Sequence, residues 1–240
     1  MLLRLPVIVI IIYLLVSLAT LTVVAQPTKI FRILPDDHHS STLVPQCQAA
    51  GCYSLTALLK STILSDSTGT SNVNVLLHPG IHSINNSAAN EVFSISDTTT
   101  FALTAVNSSE GATIKCTRNT GFAFSYCAKL IISGITFDSC GAHFENTKLN
   151  VGYRTVTSSF VLLIFYSTSV QLSDIRVKNG SGIGLLAVNV RGSFDLSDSE
   201  FINNTCNLHY FSNDRGGVNS NGTVVVRVTN LIVVQTSLHT

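Results

Sequence analysis

The sequence predicts an all-β fold, a parallel β-helix of stacked coils. Three observations carry this expectation. First, Leu130-Ile131-Ile132-Ser133-Gly134-Ile135-Thr136-Phe137 shares a template with 170–177, 194–201 and, more loosely, 226–233. The template reads apolar-x-apolar, two small or polar residues, apolar-x-apolar. Alternation with period two marks short strands that bury one face, and the two-residue break marks a bend. Second, a further short apolar strand precedes three of these units, at Phe122 and Phe124, at 161–165, and at Ile183 and Leu185. Third, equivalent positions fall at 101, 130, 170, 194 and 226, and the closest two, 170 and 194, are 24 residues apart. Three short strands in so short a coil stack as parallel strands, with like residues in ladders about 4.8 Å apart. A β-sandwich would need regular hairpin turns, yet no two-residue Asn-Gly or Asp-Gly loop joins two repeat strands. No leucine-rich consensus is present either.

The elements follow in chain order. In residues 1–25 Arg4 is the only charge, 5–19 are almost unbroken apolar sequence, and Val23-Val24-Ala25 supplies small residues for a signal peptidase. This is the pattern of a secretory signal peptide. An uncleaved anchor is the alternative, because 5–25 is long enough to span a bilayer. Residues 26–46 read as a leader carrying Asp36-Asp37 and His38-His39. The β-helix is expected over 47–240. It opens with Ser54 as a helix cap and Leu55, Leu58 and Leu59 at helical spacing, a short amphipathic helix to cover the first coil. A looser coil follows at Phe93/Ile95, Phe101/Leu103 and Ile114/Cys116. The stretch 141–157 has no period and reads as an inserted loop. Ser199 is the one polar residue at an inward template position. The chain stops soon after a strand, so a truncated C-terminus, or cover of the last edge by another copy or by the last loop, is expected.

Composition narrows the function. Fourteen Lys+Arg against thirteen Asp+Glu give a net charge of +1, and only 11% of residues are charged. Neither a nucleic-acid footprint nor an acidic tail fits that balance. A membrane contact is expected only through an uncleaved N-terminal segment. The six cysteines all lie beyond residue 25, as disulfides of an exported chain would. Cys47 and Cys52 are the most plausible local pair. Cys116 aligns by template with Phe137 and Val177 and should point inward. Five sequons, at Asn85, Asn107, Asn179, Asn203 and Asn221, are glycosylation candidates.

Two motifs then suggest a family. Asn74-Val75-Leu76-Leu77-His78-Pro79-Gly80-Ile81-His82 resembles the opening Pro-Gly-x-His motif of secreted right-handed β-helix repeat proteins of sponges and other simple animals. Phe201-Ile202-Asn203-Asn204, followed by Gly216-Gly217-Val218, resembles the F-x-x-N and G-G-A/I alternation of polymorphic outer-membrane β-helix proteins. The resemblance spans about residues 47 to 235 and implies a right-handed, pectin-lyase-like fold. It implies no activity, because that fold hosts enzymes, adhesins and surface proteins alike.

Catalytic signatures of β-helix enzymes are absent. There is no Asn-Thr-Asp, Gly-His-Gly or Arg-Ile-Lys as in polygalacturonase-like hydrolases, and no Trp for a pectate-lyase motif. Asp36-Asp37 reads as solvated linker, and His38, His39, His78 and His82 lack zinc-type spacing. No catalytic residue is assigned. Asp174 and Asp198 occupy the same bend in adjacent coils, with Gly134 before and Asn230 after. Bends favour Asp for local backbone bonding, but two carboxylates one strand apart also form a candidate calcium pair. No other cofactor is expected. The expected role is an extracellular, non-catalytic protein that binds glycan or matrix. A diverged polysaccharide lyase or hydrolase is the alternative, with Asp195, Arg191, Asp198 and Arg176 as the residues to place. A structural coat protein is the third.

Overall fold

The structure is a computed structural model that describes residues 28–36, 52–60, 72–84, 90–96, 98–116, 119–151, 154–188, 190–211 and 225–234. Residues 1–25, expected to form a signal segment, and Asp37, His38, His39, Cys47, Asn85 and Asn221 lie outside these residues.

Most of the described strands form three parallel ladders, and each rung between residues 72 and 211 adds one strand, or half of one, to each. The first ladder holds β1 (Thr28–Ile33), β3 (Asn72–Leu77), β6 (Thr100–Ala105), β9 (Lys129–Ser133), β13 (Ser169–Ser173) and the first halves of β16 (Ser193–Ile202) and β18 (Val225–Val234). The second holds β4 (Gly80–Ile84), β7 (Ala112–Cys116), β10 (Ile135–Asp138), β14 (Arg176–Lys178) and the second halves of β16 and β18. These two ladders join through β16 into one 12-stranded sheet. The third holds β5 (Asn90–Ser96), β8 (Asn119–Ser125), β12 (Arg154–Phe165), β15 (Ile183–Val188) and β17 (Cys206–Phe211). The chain is thus all-β with a large parallel sheet, an arrangement compatible with a β-helix.

The sequence-aligned positions fall in one ladder: Phe101, Leu130, Val170, Phe194 and Val226 are register partners in turn. Val73 precedes them opposite Phe101. Alternation turns one face of each strand inward, and the inward residues stack into a continuous core. In the second ladder Ile114, Phe137, Val177 and Phe201 are successive partners, each fully buried. Phe122 of the third ladder meets Phe137 edge-on, with centroids 5.3 Å apart.

Four features depart from the sequence reading. Residues 28–33, expected in a leader, form β1 and pair in full register with β3. Phe31 and Ile33 are buried there, which is why the strand is held. Asp36, expected as solvated linker, ties that strand to the next rung by accepting from the Ser83 N–H at 2.6 Å. The expected loop at 141–157 contains β11 (Ala142–Val151), which pairs antiparallel with β12. Cys116 is opposite Ile84, not Phe137, because period-two alternation fixes the face of a residue but not its register.

Helix α1 spans Leu55–Lys60. Ser54 Oγ accepts from the Ala57 N–H at 3.1 Å, and Leu55 and Leu58 are buried. The two leucines share a small apolar cavity with Phe101, Phe122 and Phe124.

The rungs turn at three stacked corners, and at each the backbone takes left-handed φ. Gly134 (70°), Asp174 (51°) and Asp198 (49°) turn between the first and second ladders. Ser139 (58°), Asn179 (56°) and Asn203 (54°) turn between the second and third. Tyr126 (53°) and Tyr166 (54°) turn from the third back to the first. Gly, Asp and Asn reach this region at least cost. Gly134 meets a second demand: a Cβ there would lie 3.0 Å from Ala105 Cβ.

Buried polar side chains satisfy the backbone freed at these corners. Ser199, the template mismatch, is fully buried; its Oγ donates to Ser197 O at 2.6 Å and accepts from the Ile175 N–H at 3.4 Å. Asn204 Oδ1 accepts from the Gly180 N–H, and its Nδ2 donates to Val177 O, both at 2.9 Å. Asn204→Leu therefore strands two buried backbone groups of the preceding rung, and should cost about 3 kcal/mol. Urea denaturation checks this; a loss near zero contradicts the assigned bonds.

His82 is a polar member of the second ladder, opposite Ile114 and only 1% exposed. Its Nε2 donates to His78 O at 2.8 Å, and its buried Nδ1 has no partner. Burial holds its pKa below the ordinary 6.5, against the raising effects of the His78 carbonyl and the Asp36 carboxylate. A proton on Nδ1 would add a buried donor with no acceptor. As pH falls through 6.5 the unfolded chain takes this proton and the folded chain does not, so stability falls. The melting temperature should drop between pH 7 and pH 5, and His82→Leu should flatten that drop. An unchanged slope in the variant removes His82 as its source.

Candidate functional site

The first corner carries a groove. Gly134, Asp174 and Asp198 stack on successive rungs, linked by Gly134 N–H to Ser173 O at 3.2 Å and Asp174 N–H to Ser197 O at 3.1 Å. The adjacent outward column of the second ladder holds Thr136, Arg176 and Glu200 in register. Arg176 Nε donates to Glu200 Oε2. This pair is exposed, so it orients the guanidinium more than it stabilises the fold.

The turn from β6 to β7 supplies the end wall. Asn107 begins it: Asn107 O accepts from the Gly111 N–H at 3.0 Å, and Asn107 Oδ1 accepts from Ser109 N–H and Ser109 Oγ. Ser108, Ser109 and Glu110 are exposed. Together with the corner and the outward column they enclose about 450 Å³. Four carboxylates, Glu110, Asp174, Asp198 and Glu200, and one guanidinium, Arg176, line this space. Its formal charge is therefore −3.

The structure brings Asp174, Asp198 and Arg176 together at this groove. It does not bring the other two residues singled out in the sequence. Asp195 faces outward on the first ladder opposite Gln171. Arg191 lies at the third corner, 5.7 Å over the Tyr166 ring, which stacks on Tyr126. Sequence reasoning missed Ser108, Ser109, Glu110, Thr136 and Glu200. The turn-forming run Asn107-Ser108-Ser109-Glu110-Gly111 was the available signal for the wall.

Among the described residues no three His, Cys, Asp or Glu side chains converge at metal-holding distance. The other carboxylate with a clear environment is Asp138, at the second corner. Partial burial raises its pKa, but hydrogen bonds from Asn179, Ser139 and Lys178 outweigh that and hold it below the ordinary value. It starts a polar column: Asn179 Nδ2 donates to Asp138 Oδ1 at 3.0 Å, and Asn203 Nδ2 to Asn179 Oδ1 at 3.4 Å.

The disulfide in the described residues joins Cys116 to Cys140, and both are buried. Of the expected Cys47–Cys52 pair, Cys52 lies in β2 (Cys52–Tyr53), which pairs with β1; Cys47 is outside the described residues. Cys127 is a buried thiol whose Sγ contacts Ser125 O at 3.6 Å. Among the described residues no helix is long and apolar enough to cross a membrane.

No protein-family model, curated protein or solved structure matches the chain.

Proposed function

We propose that the chain is an exported, right-handed parallel β-helix of the pectin-lyase-like kind that binds extracellular glycan along the first-corner groove without cleaving it. The groove of about 450 Å³ carries this reading. It is concave, lined by hydroxyls and carboxylates, and it runs along the stack. Rungs recur about every 4.8 Å, close to the length of one sugar residue in an extended chain. Carboxylates accept hydrogen bonds from paired sugar hydroxyls. The formal charge of −3 disfavours uronate and sulfated chains, so neutral glycans fit best. The buried disulfide and the apolar N-terminal segment support export.

The test uses the full chain secreted from animal cells, with its N-glycans trimmed to the first sugar, and a panel of neutral, uronate and sulfated oligosaccharides. Binding to a neutral glycan is expected, and Glu110→Gln with Asp174→Asn should weaken it at least tenfold with little change in melting temperature. Binding to no glycan or matrix component above background, or binding indifferent to both substitutions, ends the proposal.

A second reading draws on the same four carboxylates: acid–base cleavage of the bound glycan. Its signature is release of new reducing or unsaturated ends, lost in Asp198→Asn. Binding without product release keeps the non-catalytic reading.

A further inference from the structure

We propose that Asn107 is an N-glycosylation site and that its glycan covers the groove, regulating the site described above; this rests on the export reading. Asn107-Ser108-Ser109 is a sequon at the wall of the groove. Its side chain is already folded onto its own hydroxyl: Ser109 Oγ donates to Asn107 Oδ1 at 2.8 Å, and Ser109 N–H donates to the same oxygen at 3.2 Å. Both contacts span two residues, so a nascent chain can make them before any rung has stacked. Both engage Oδ1 and leave the Nδ2 amide out of the turn's own hydrogen bonds.

The sequons at Asn179 and Asn203 differ. The amide of Asn179 donates to Asp138, 41 residues away, and its sequon hydroxyl, Ser181 Oγ, donates to Gly141 O at 3.3 Å. The amide of Asn203 donates to Asn179. A sugar at either position takes a hydrogen from a column that links rungs. A sugar on Asn107 takes none from the stack.

In the transfer step Asn107 Nδ2 attacks the anomeric carbon of a lipid-diphosphate-linked oligosaccharide. A C–N bond forms, the anomeric C–O bond breaks, and the lipid diphosphate leaves with the electron pair. Nδ2 gives up one proton to a base of the transferase. The attached glycan then stands beside Ser108, Ser109 and Glu110, which line the groove directly.

The full chain with its own N-terminal segment is expressed in animal cells, and each sequon is mapped by mass spectrometry after glycosidase treatment in heavy-oxygen water. Most molecules should carry a glycan on Asn107, and Ser109→Ala should abolish it. Trimming the glycan to its first sugar should raise hydroxyl-radical labelling of the exposed Arg176 at least threefold, and leave Tyr126 at the third corner unchanged. A secreted chain with bare Asn107 overturns this proposal alone. A chain that carries no glycan and stays in the cytosol overturns it together with the export reading. Occupied Asn107 with Arg176 labelling unmoved by trimming overturns the regulatory role.

Discussion

Phe137→Ala should lower the unfolding free energy by about 4 kcal/mol. The ring is fully buried. It sits between Ile114 and Val177 in its ladder and meets Phe122 across the interior at 5.3 Å. Rungs above and below are fixed by backbone pairing, so the stack has little freedom to collapse into the space a missing ring leaves. The lost burial and the residual cavity then add. Ile131→Ala is the matched control, because Ile131 is on the outward face of β9; it should cost less than about 1 kcal/mol. Urea unfolding followed by circular dichroism separates the two. Equal losses at both positions contradict the assigned inward face.

Removing the disulfide is the second large effect. Cys116 and Cys140 are 24 residues apart and close almost one rung. Opening a loop of that length restores chain entropy to the unfolded state, so Cys140→Ser should cost about 3 kcal/mol. Reductant should lower the stability of the wild-type chain to that of the variant. Thiol titration in denaturant supplies an independent reading. If the count of free thiols in the wild-type chain does not rise on reduction, the bond is absent.

Those two sites show what a sequence of this kind reveals. Phe137 was readable because its template repeats at 130–137 and 170–177, and period-two alternation fixes the inward face. The ladder through Phe101, Leu130, Val170, Phe194 and Val226 follows from the same signal. The Cys116–Cys140 bond was not readable, because register within a face can slip by two residues without exposing any apolar side chain. Strand β1 escaped notice because Lys29 takes the place of the apolar residue that its partner Val73 supplies. The strand β11 alternates only in fragments, at Ala142/Phe144 and Leu149/Val151, with the polar run 145–148 between them.

The groove was half readable. Asp174 and Asp198 share a bend position in two templates, and the corner geometry explains both: left-handed φ favours Asp. Arg176 was named for its charge. The wall was hidden, because Ser108, Ser109 and Glu110 belong to a turn two rungs before Asp174, and only stacking brings them to it. Ser199 illustrates the reverse case. It broke the pattern as an isolated residue, yet its hydroxyl bonds Ser197 O before the corner that Asp198 turns and the Ile175 N–H just after the corner that Asp174 turns one rung earlier.

The central claim is that successive rungs stack in the order β9, β13, β16, since every ladder, corner and groove wall depends on it. Engineered cysteines test it most directly. Ser173 Oγ donates to Ser133 Oγ at 2.9 Å across neighbouring rungs, whereas Ser133 and Ser197 are two rungs, about 10 Å, apart. Under mild oxidation Ser133→Cys with Ser173→Cys should cross-link within the monomer, and Ser133→Cys with Ser197→Cys should keep both thiols. Ready cross-linking of the second pair with none in the first would contradict the stacked account.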